Sequence, residues 1–178
     1  AMDEVVNQMA KIRYMFGGQT DVPVVLRLPS GSARLIAAQH SQCLEAWFMH
    51  VPGLQVVIPS TPYDAKGLIK TALRGRDPVL FMEYKRLYTI EGEVPDGDYT
   101  VPFGKADVKR QGRDATIIAT GPMVLKALEA AEVLAQDDIE RRAFDILHDQ
   151  IEDALVLTAV EELDEIGMLQ RSDGLGLA

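Results

Sequence analysis

The chain has 178 residues, of which 47% are hydrophobic and 25% charged, a composition typical of a folded globular protein rather than a disordered segment. The net charge of −9 comes from residues 137–178, because residues 1–136 carry 15 Lys+Arg and 15 Asp+Glu. Such an acidic chain repels phosphate backbones, which argues against nucleic-acid binding. Apolar runs stay well short of the roughly 20 residues of a membrane-spanning helix, so no membrane contact is expected.

Three β-branched apolar runs predict buried strands, at residues 22–28, 54–58 and 78–84. Helical patterns separate them, over 42–50 and 62–74. Strands that alternate with helices, and that are apolar throughout, indicate an α/β fold with a parallel sheet covered on both faces.

Two of the predicted helices have recognisable ends. The first starts near Asp3 and ends at Gly17-Gly18, and Thr61-Pro62 opens the helix over 62–74 as an N-cap followed by proline. The helix over 42–50 carries Leu44, Trp47 and Phe48 at helical spacing. We expect these three near a subunit contact, with packing inside the domain as the alternative.

A second, smaller α/β unit follows a turn-rich linker at residues 86–104. Its predicted elements are a strand over 114–120, a helix from Gly121-Pro122 to Ala135 and a strand over 154–160. The sequence therefore predicts two domains.

His40 is the main candidate for chemistry. It follows the strand at 22–28 by one loop and precedes a helix, and ligand sites in open parallel sheets lie beyond the carboxyl ends of the strands. A histidine there can hold or donate a proton near pH 7. The alternative is that His40 or Ser41 only caps the following helix.

The remaining candidates favour structural roles. His50 stands at a helix end, His148 lies in the acidic tail, and Cys43 is expected to be a buried thiol inside a helix. As the only cysteine, Cys43 excludes an internal disulfide and a cysteine-based zinc site, and a reducing compartment fits best. The sequence around Asp77 favours a turn, although carbonyls in such a turn can hold a cation. These residues alone leave the reaction undecided.

Three longer stretches resemble the β subunit of the E1 component of 2-oxoacid dehydrogenase complexes, a transketolase-like family. They run from Asp3 to Gln19, from Ala37 to Trp47 and from Pro52 to Leu68. The match extends from residue 2 to about residue 135. Tyr14-Met15-Phe16-Gly17-Gly18 and Gln39-His40-Ser41-Gln42 are more similar to the pyruvate and acetoin branches than to the branched-chain one.

The resemblance implies a fold and its division. Residues 1–85 would form the latter part of a pyrimidine-binding domain with a parallel sheet, residues 86–104 a linker, and residues 105–178 part of a transketolase C-terminal α/β domain. The glutamate that activates the cofactor in this family would lie on a segment absent from this sequence. We therefore expect the isolated chain to be inactive.

The resemblance also implies a chemistry. The cofactor would be thiamine diphosphate with Mg²⁺, shared with an E1 α subunit, and His40 matches the active-site histidine that handles protons and helps acyl transfer to lipoamide. Five further positions match those that ligate a structural potassium ion in some members, largely through main-chain carbonyls: Val24, Ala72, Leu73, Gly75 and Asp77.

The implied partners are the α subunit, a second β subunit in an α2β2 tetramer, and the dihydrolipoyl acyltransferase (E2) core. The implied compartment is the bacterial cytoplasm or, second, the mitochondrial matrix. Pyruvate is the expected substrate, with acetoin or a branched-chain 2-oxoacid as alternatives. Two other functions remain open: a non-catalytic fragment that only binds partner subunits, and a serine or cysteine hydrolase that uses His40.

Overall fold

The computed structural model describes residues 1–31, 36–112 and 115–136. Its centre is a parallel three-stranded sheet in the order β1-β3-β2, formed by β1 (Val25–Ser30), β2 (Gln55–Val57) and β3 (Val79–Tyr84). Both outer strands start level with β3, because Val25 and Gln55 each pair with Val79. The α/β fold with a parallel sheet is thus confirmed.

Helices and short turns connect the strands. A π-helical segment, Glu4–Met9, leads into α1 (Ala10–Met15), and a 3-10 turn, Ala38–His40, precedes α2 (Glu45–Met49). Next come α3 (Pro62–Arg74), a second 3-10 turn (Lys85–Leu87) and α4 (Met123–Gln136). Within the described ranges, no helix has the length and apolar content needed to cross a bilayer.

The sheet is covered on both faces, as the apolar strands predict. On one face, Val79 and Phe81 of β3 pack with Ala72 of α3. On the other face, Leu80 and Met82 pack with Phe48 of α2. Residues Val79 to Met82 of the central strand are at most 3% exposed, so β3 contributes residues to the core on both faces of the sheet.

The first strand differs from its predicted bounds. The sequence predicts an end before Pro29, but β1 continues through Pro29 to Ser30, opposite Glu83 and Tyr84. The Val24 carbonyl accepts from the Val79 N–H, so the even-numbered residues of β1 bond to β3 and the nitrogen of Pro29 faces away from it. Because β1 is an edge strand of the described sheet, the missing N–H of proline removes no ladder hydrogen bond there. The longer strand brings Ser30, which is 3% exposed, to the carboxyl edge of the sheet.

Glu83 links the two strands through an ion pair. Its carboxylate accepts from Arg27 Nε at 2.5 Å and Nη2 at 3.1 Å, and from the Tyr88 hydroxyl at 2.9 Å. The Glu83 side chain is only 13% exposed. The hydrogen bond from Arg27 lowers the pKa of Glu83, although burial acts in the opposite direction.

We expect Glu83→Gln to make stability less sensitive to acid. A carboxyl whose pKa is lower in the folded than in the unfolded chain stabilises the fold above its unfolded pKa, and that contribution disappears as pH falls through the folded pKa. Urea midpoints at pH 7 and at about pH 3 should therefore differ less in Glu83→Gln than in the wild type. An equal or larger difference in the variant would contradict this.

The helix α3 begins as its sequence predicts. The Thr61 hydroxyl accepts from the Asp64 N–H, the Asp64 carboxylate accepts from the Thr61 N–H, both at 3.1 Å, and Pro62 follows the cap. This capping box satisfies two amide groups that a helix start leaves unpaired.

The segment after β3 lies along α3. Asp98 pairs with Lys70 at 2.7 Å and with Arg74 at 2.8 Å, and the Tyr99 ring stacks on Tyr63 at 4.6 Å. The Thr71 hydroxyl donates to the Val101 carbonyl at 2.6 Å. Part of the stretch interpreted as a linker, residues 98–101, therefore packs against α3.

One predicted strand is not observed. Residues 115–120, the described part of the predicted strand 114–120, lie outside any sheet of the described chain. A strand needs a neighbour to bond with, and the other strand predicted for this unit, 154–160, falls outside the described residues. The helix that follows is confirmed as α4, with Val124 buried at 9% exposure.

Candidate functional site

Polar side chains gather where β1 and β3 end. Parallel strands bring their carboxyl ends to one edge of the sheet, and here β1 ends at Ser30 and β3 at Tyr84. Above this edge the turn Ala38–His40 borders a depression of about 280 Å³. The floor is apolar and the rim polar; the lining includes Leu28, Phe48 and Met82, and Gln39, His40, Gln42 and Lys85.

The turn that carries His40 has an unusual start. Ala37 has φ 62° and ψ 174°, a conformation that is costly for any residue with a Cβ. The Ser41 hydroxyl donates to the Ala37 carbonyl at 2.7 Å, and the Gly31 N–H donates to the Gln42 carbonyl at 2.9 Å. The first bond closes the turn, and the second connects the residue after it to the end of β1.

The helix-cap alternative for His40 and Ser41 is wrong. The helix α2 begins at Glu45, its cap position is Leu44, and it has no side-chain cap bond. Ser41 instead closes the turn before the helix, through the bond to Ala37. His40 is exposed at the rim of the depression, where its ring is accessible. A role in catalysis stays a prediction.

A polar network lies beside this turn. The Tyr84 hydroxyl donates to the Glu45 carboxylate, and Ser30 Oγ lies 3.4 Å from the other Glu45 oxygen. Burial, followed by the bond to Glu45, raises the pKa of Tyr84 well above its usual range, so the phenol remains a donor. The sequence reasoning missed this network because its members come from separate elements; the only local signal was their place at strand and helix ends.

Cys43 corrects an expectation. The sequence predicts a buried thiol inside a helix, but Cys43 is exposed and precedes α2. The helix starts three residues later than the predicted range of 42–50, which leaves Cys43 on the connecting segment before it. Its side chain lies beside Tyr84, whose pKa it helps to raise after burial and Glu45.

The potassium candidates lie at the opposite edge of the sheet. The Val24 carbonyl accepts from the Val79 N–H at 2.9 Å, the Ala72 carbonyl accepts from the Gly75 N–H at 3.1 Å, and the Asp77 carboxylate pairs with Arg13. Leu73 is 67% exposed. In the three described ranges, no three His, Cys, Asp or Glu side chains converge as metal ligands. The potassium set stays a prediction.

The other histidines are less informative. His50 is the exposed residue that ends α2, in agreement with its structural interpretation, whereas His148 lies outside the described residues. Of the predicted contact residues, Phe48 is buried in the core at 7% exposure and Leu44 packs against the same cluster. Trp47 is 64% exposed, so it alone of the three presents a large apolar surface.

Comparison with known protein families shows which family the chain belongs to. Residues 2–91 match the family described as transketolase, pyrimidine binding domain. The chain belongs to this family. Residues 104–165 match a second one, the transketolase C-terminal domain. The proposed domain boundaries themselves stay a prediction.

Curated relatives support the E1 β resemblance. The chain is 54% identical over 144 residues to the β subunit of acetoin:2,6-dichlorophenolindophenol oxidoreductase of Cupriavidus necator, with 81% of the chain and 43% of the relative covered. It is 50% identical to the 2-oxoisovalerate dehydrogenase β subunit of Bacillus subtilis, covering 82% and 45%. It is 47% identical to the pyruvate dehydrogenase E1 β subunit of the same organism, also covering 82% and 45%. The resemblance to E1 β chains is thus confirmed.

A solved structure agrees on the fold. A split-gene transketolase, described as an inactive β4 tetramer, is similar with a TM-score of 0.62 and 26% identity, covering 78% of this chain and 42% of that one. The chain therefore spans less than half of this neighbour, and 43–45% of the three relatives above.

Proposed function

We propose that the chain is part of the β subunit of a thiamine-diphosphate-dependent dehydrogenase of the E1 type. Such an enzyme cleaves a carbon–carbon bond next to a carbonyl group and passes the acyl fragment to lipoamide. The observation that carries the proposal is the place of His40. It lies at the carboxyl edge of the parallel sheet, inside the residues that match the pyrimidine-binding family.

The depression beside His40 has the chemistry expected of a cofactor subsite. Its floor includes Leu28, Phe48 and Met82, which suit an aromatic ring, and the amides of Gln39 and Gln42 at its rim offer polar partners. We propose that these residues contact thiamine diphosphate, which acts as an electron sink for the carbanion chemistry.

His40 would supply proton transfer. Its exposed ring stands at the rim, within reach of a group held above the depression. A neutral imidazole can accept a proton from a reacting hydroxyl and return it to a leaving group. The chain's own contribution is therefore to orient this ring and to cover one side of the cofactor with apolar side chains.

The open depression also favours a shared site. We propose that an α subunit covers it and holds the diphosphate with its Mg²⁺, and that two β chains and two α chains assemble and dock on an acyltransferase core. Trp47, 64% exposed on α2, is a candidate contact residue.

A potassium ion at the Val24 and Asp77 end of the sheet is a further proposal. We place the enzyme in the bacterial cytoplasm rather than in mitochondria.

The substrate class has two candidates. Acetoin is favoured by the acetoin oxidoreductase β subunits, which are 54% and 46% identical to the chain in Cupriavidus necator and Bacillus subtilis. Pyruvate, the expectation from the motifs, is the second candidate, because pyruvate dehydrogenase β subunits reach 47%. Both substrates present a small ketone, and the bond that breaks is next to it in each.

A substrate panel tests the proposal. The full-length β subunit is assembled with the α subunit from the same source, and reduction of 2,6-dichlorophenolindophenol is followed with acetoin, pyruvate and 2-oxoisovalerate. We expect cofactor-dependent turnover with a kcat/KM for acetoin at least about tenfold above the others. A preference for pyruvate would select the second candidate. The absence of turnover with all three would support the non-catalytic alternative and overturn the proposal.

A further inference from the structure

A lysine from the central strand reaches the turn that carries His40. Lys85 is the first residue after β3, and its ammonium donates to the His40 carbonyl at 2.5 Å. The bond joins positions 45 residues apart. Lys85 is half-buried and lines the same depression as His40. The contact therefore connects the core of the sheet directly to the backbone of the candidate catalytic residue.

The turn needs such a contact because its backbone is strained. The positive φ of Ala37 is costly for a residue with a Cβ, and such conformations persist only where the surroundings enforce them. The bond from Ser41 to Ala37 lies within the turn and cannot fix it relative to the sheet. The bond from Gly31 anchors one end, at Gln42. Lys85 anchors the middle, at His40 itself.

Lys85 is in turn held by its neighbours. Tyr84, immediately before it, is the last residue of β3 and its hydroxyl is bound by Glu45 of α2. The Tyr84 ring packs so closely on Gly31 that a Cβ at that glycine would lie 2.6 Å from Tyr84 Cδ1. The backbone around Lys85 therefore has little freedom. Fewer degrees of freedom then remain to be ordered when the long Lys85 side chain binds the His40 carbonyl.

We propose that Lys85 is a positioning residue for His40: by binding the His40 carbonyl it keeps the strained turn, and with it the imidazole, in the reactive orientation. The kinetic consequence of this role rests on the proposed function. The ordering of the turn does not, because it depends only on the contacts of this chain.

The kinetic test compares four variants in the assembled enzyme, with the best substrate of the panel and a lipoyl domain as acceptor. Lys85→Met should lower kcat by about 10- to 100-fold with KM changed less than about twofold, since a misplaced catalytic group loses rate rather than binding. Lys85→Arg, which can donate to the same carbonyl, should recover most of the rate. In a His40→Ala background, Lys85→Met should cause no further loss.

A matched control is available in α1. Lys11 donates to the Pro52 carbonyl, also at 2.5 Å, away from the depression. Lys11→Met removes the same type of bond and should leave kcat unchanged. Equal losses from Lys85→Met with and without His40, or a raised KM at unchanged kcat, would identify a direct contact with substrate and overturn the positioning role.

A second readout needs no catalysis. Amide hydrogen exchange in residues 36–42 of the full chain should accelerate at least about tenfold in Lys85→Met but not in Lys11→Met. Unchanged exchange would overturn the inference even if the enzyme is active. Accelerated exchange in a protein without turnover would support the anchor and reject only the proposed function.

Discussion

His40→Ala in the assembled enzyme should slow acyl transfer to lipoamide by about 10²- to 10⁴-fold, the usual contribution of a positioned acid–base group. The physical reason is the placement of the ring at the rim of the depression, above the carboxyl edge of the sheet. Because the apolar floor remains, the affinity for the cofactor should change little. Single-turnover acylation of a lipoyl domain, together with calorimetric titration of the cofactor, measures both quantities.

The control is a second histidine on the same stretch of chain. His50 ends α2 and is exposed, but it lies outside the lining of the depression. His50→Ala should leave the acylation rate within about twofold of the wild type. If His40→Ala also stays within that range, or if it abolishes cofactor binding, the proton-transfer role assigned to His40 is wrong.

The layered fold could be predicted because its signals are local. The apolar runs at 22–28, 54–58 and 78–84 contain the first four of the six residues of β1 and all of β2 and β3. Thr61-Pro62 forms the cap that such a pair predicts. The strand order β1-β3-β2 could not be read in this way, since it depends on which strands pair rather than on their composition. In the sheet of the described residues that order makes β1 an edge strand, a position in which a proline such as Pro29 is tolerated.

The candidate site was predictable only in part. His40 stood out because a loop after a strand is where α/β sheets place their ligands, and the structure does put it at that edge. Its supporting contacts were invisible: Lys85 to His40 spans 45 positions and Tyr84 to Glu45 spans 39. No periodicity or short motif reports pairs so distant in sequence. Cys43 was misplaced for a related reason, because spacing locates a helix better than it locates its first residue.

Gly53 is the position where a small change should have the largest effect on stability. It lies between α2 and β2 with φ +99°, in the region that favours glycine. A Cβ at this position would lie 2.9 Å from the carbonyl carbon of Ala10 and closer still to its oxygen. Ala10 is itself 5% exposed in α1, so the added methyl group would meet buried backbone rather than the end of a flexible side chain.

Gly53→Ala should therefore lower the free energy of unfolding by about 2–4 kcal/mol, the sum of backbone strain and a collision that side-chain rotation cannot relieve. Gly18→Ala separates the two terms, because Gly18 has a similar φ of +78° but no atom within 4 Å of the added Cβ. That variant should lose only about 1 kcal/mol. Gly97→Ala, with open space and no positive φ, should be neutral within about 0.5 kcal/mol. Urea unfolding of the three variants gives the comparison. Equal losses for Gly53→Ala and Gly18→Ala would mean that α1 yields to the added methyl group, and that the turn before β2 does not depend on close packing against Ala10.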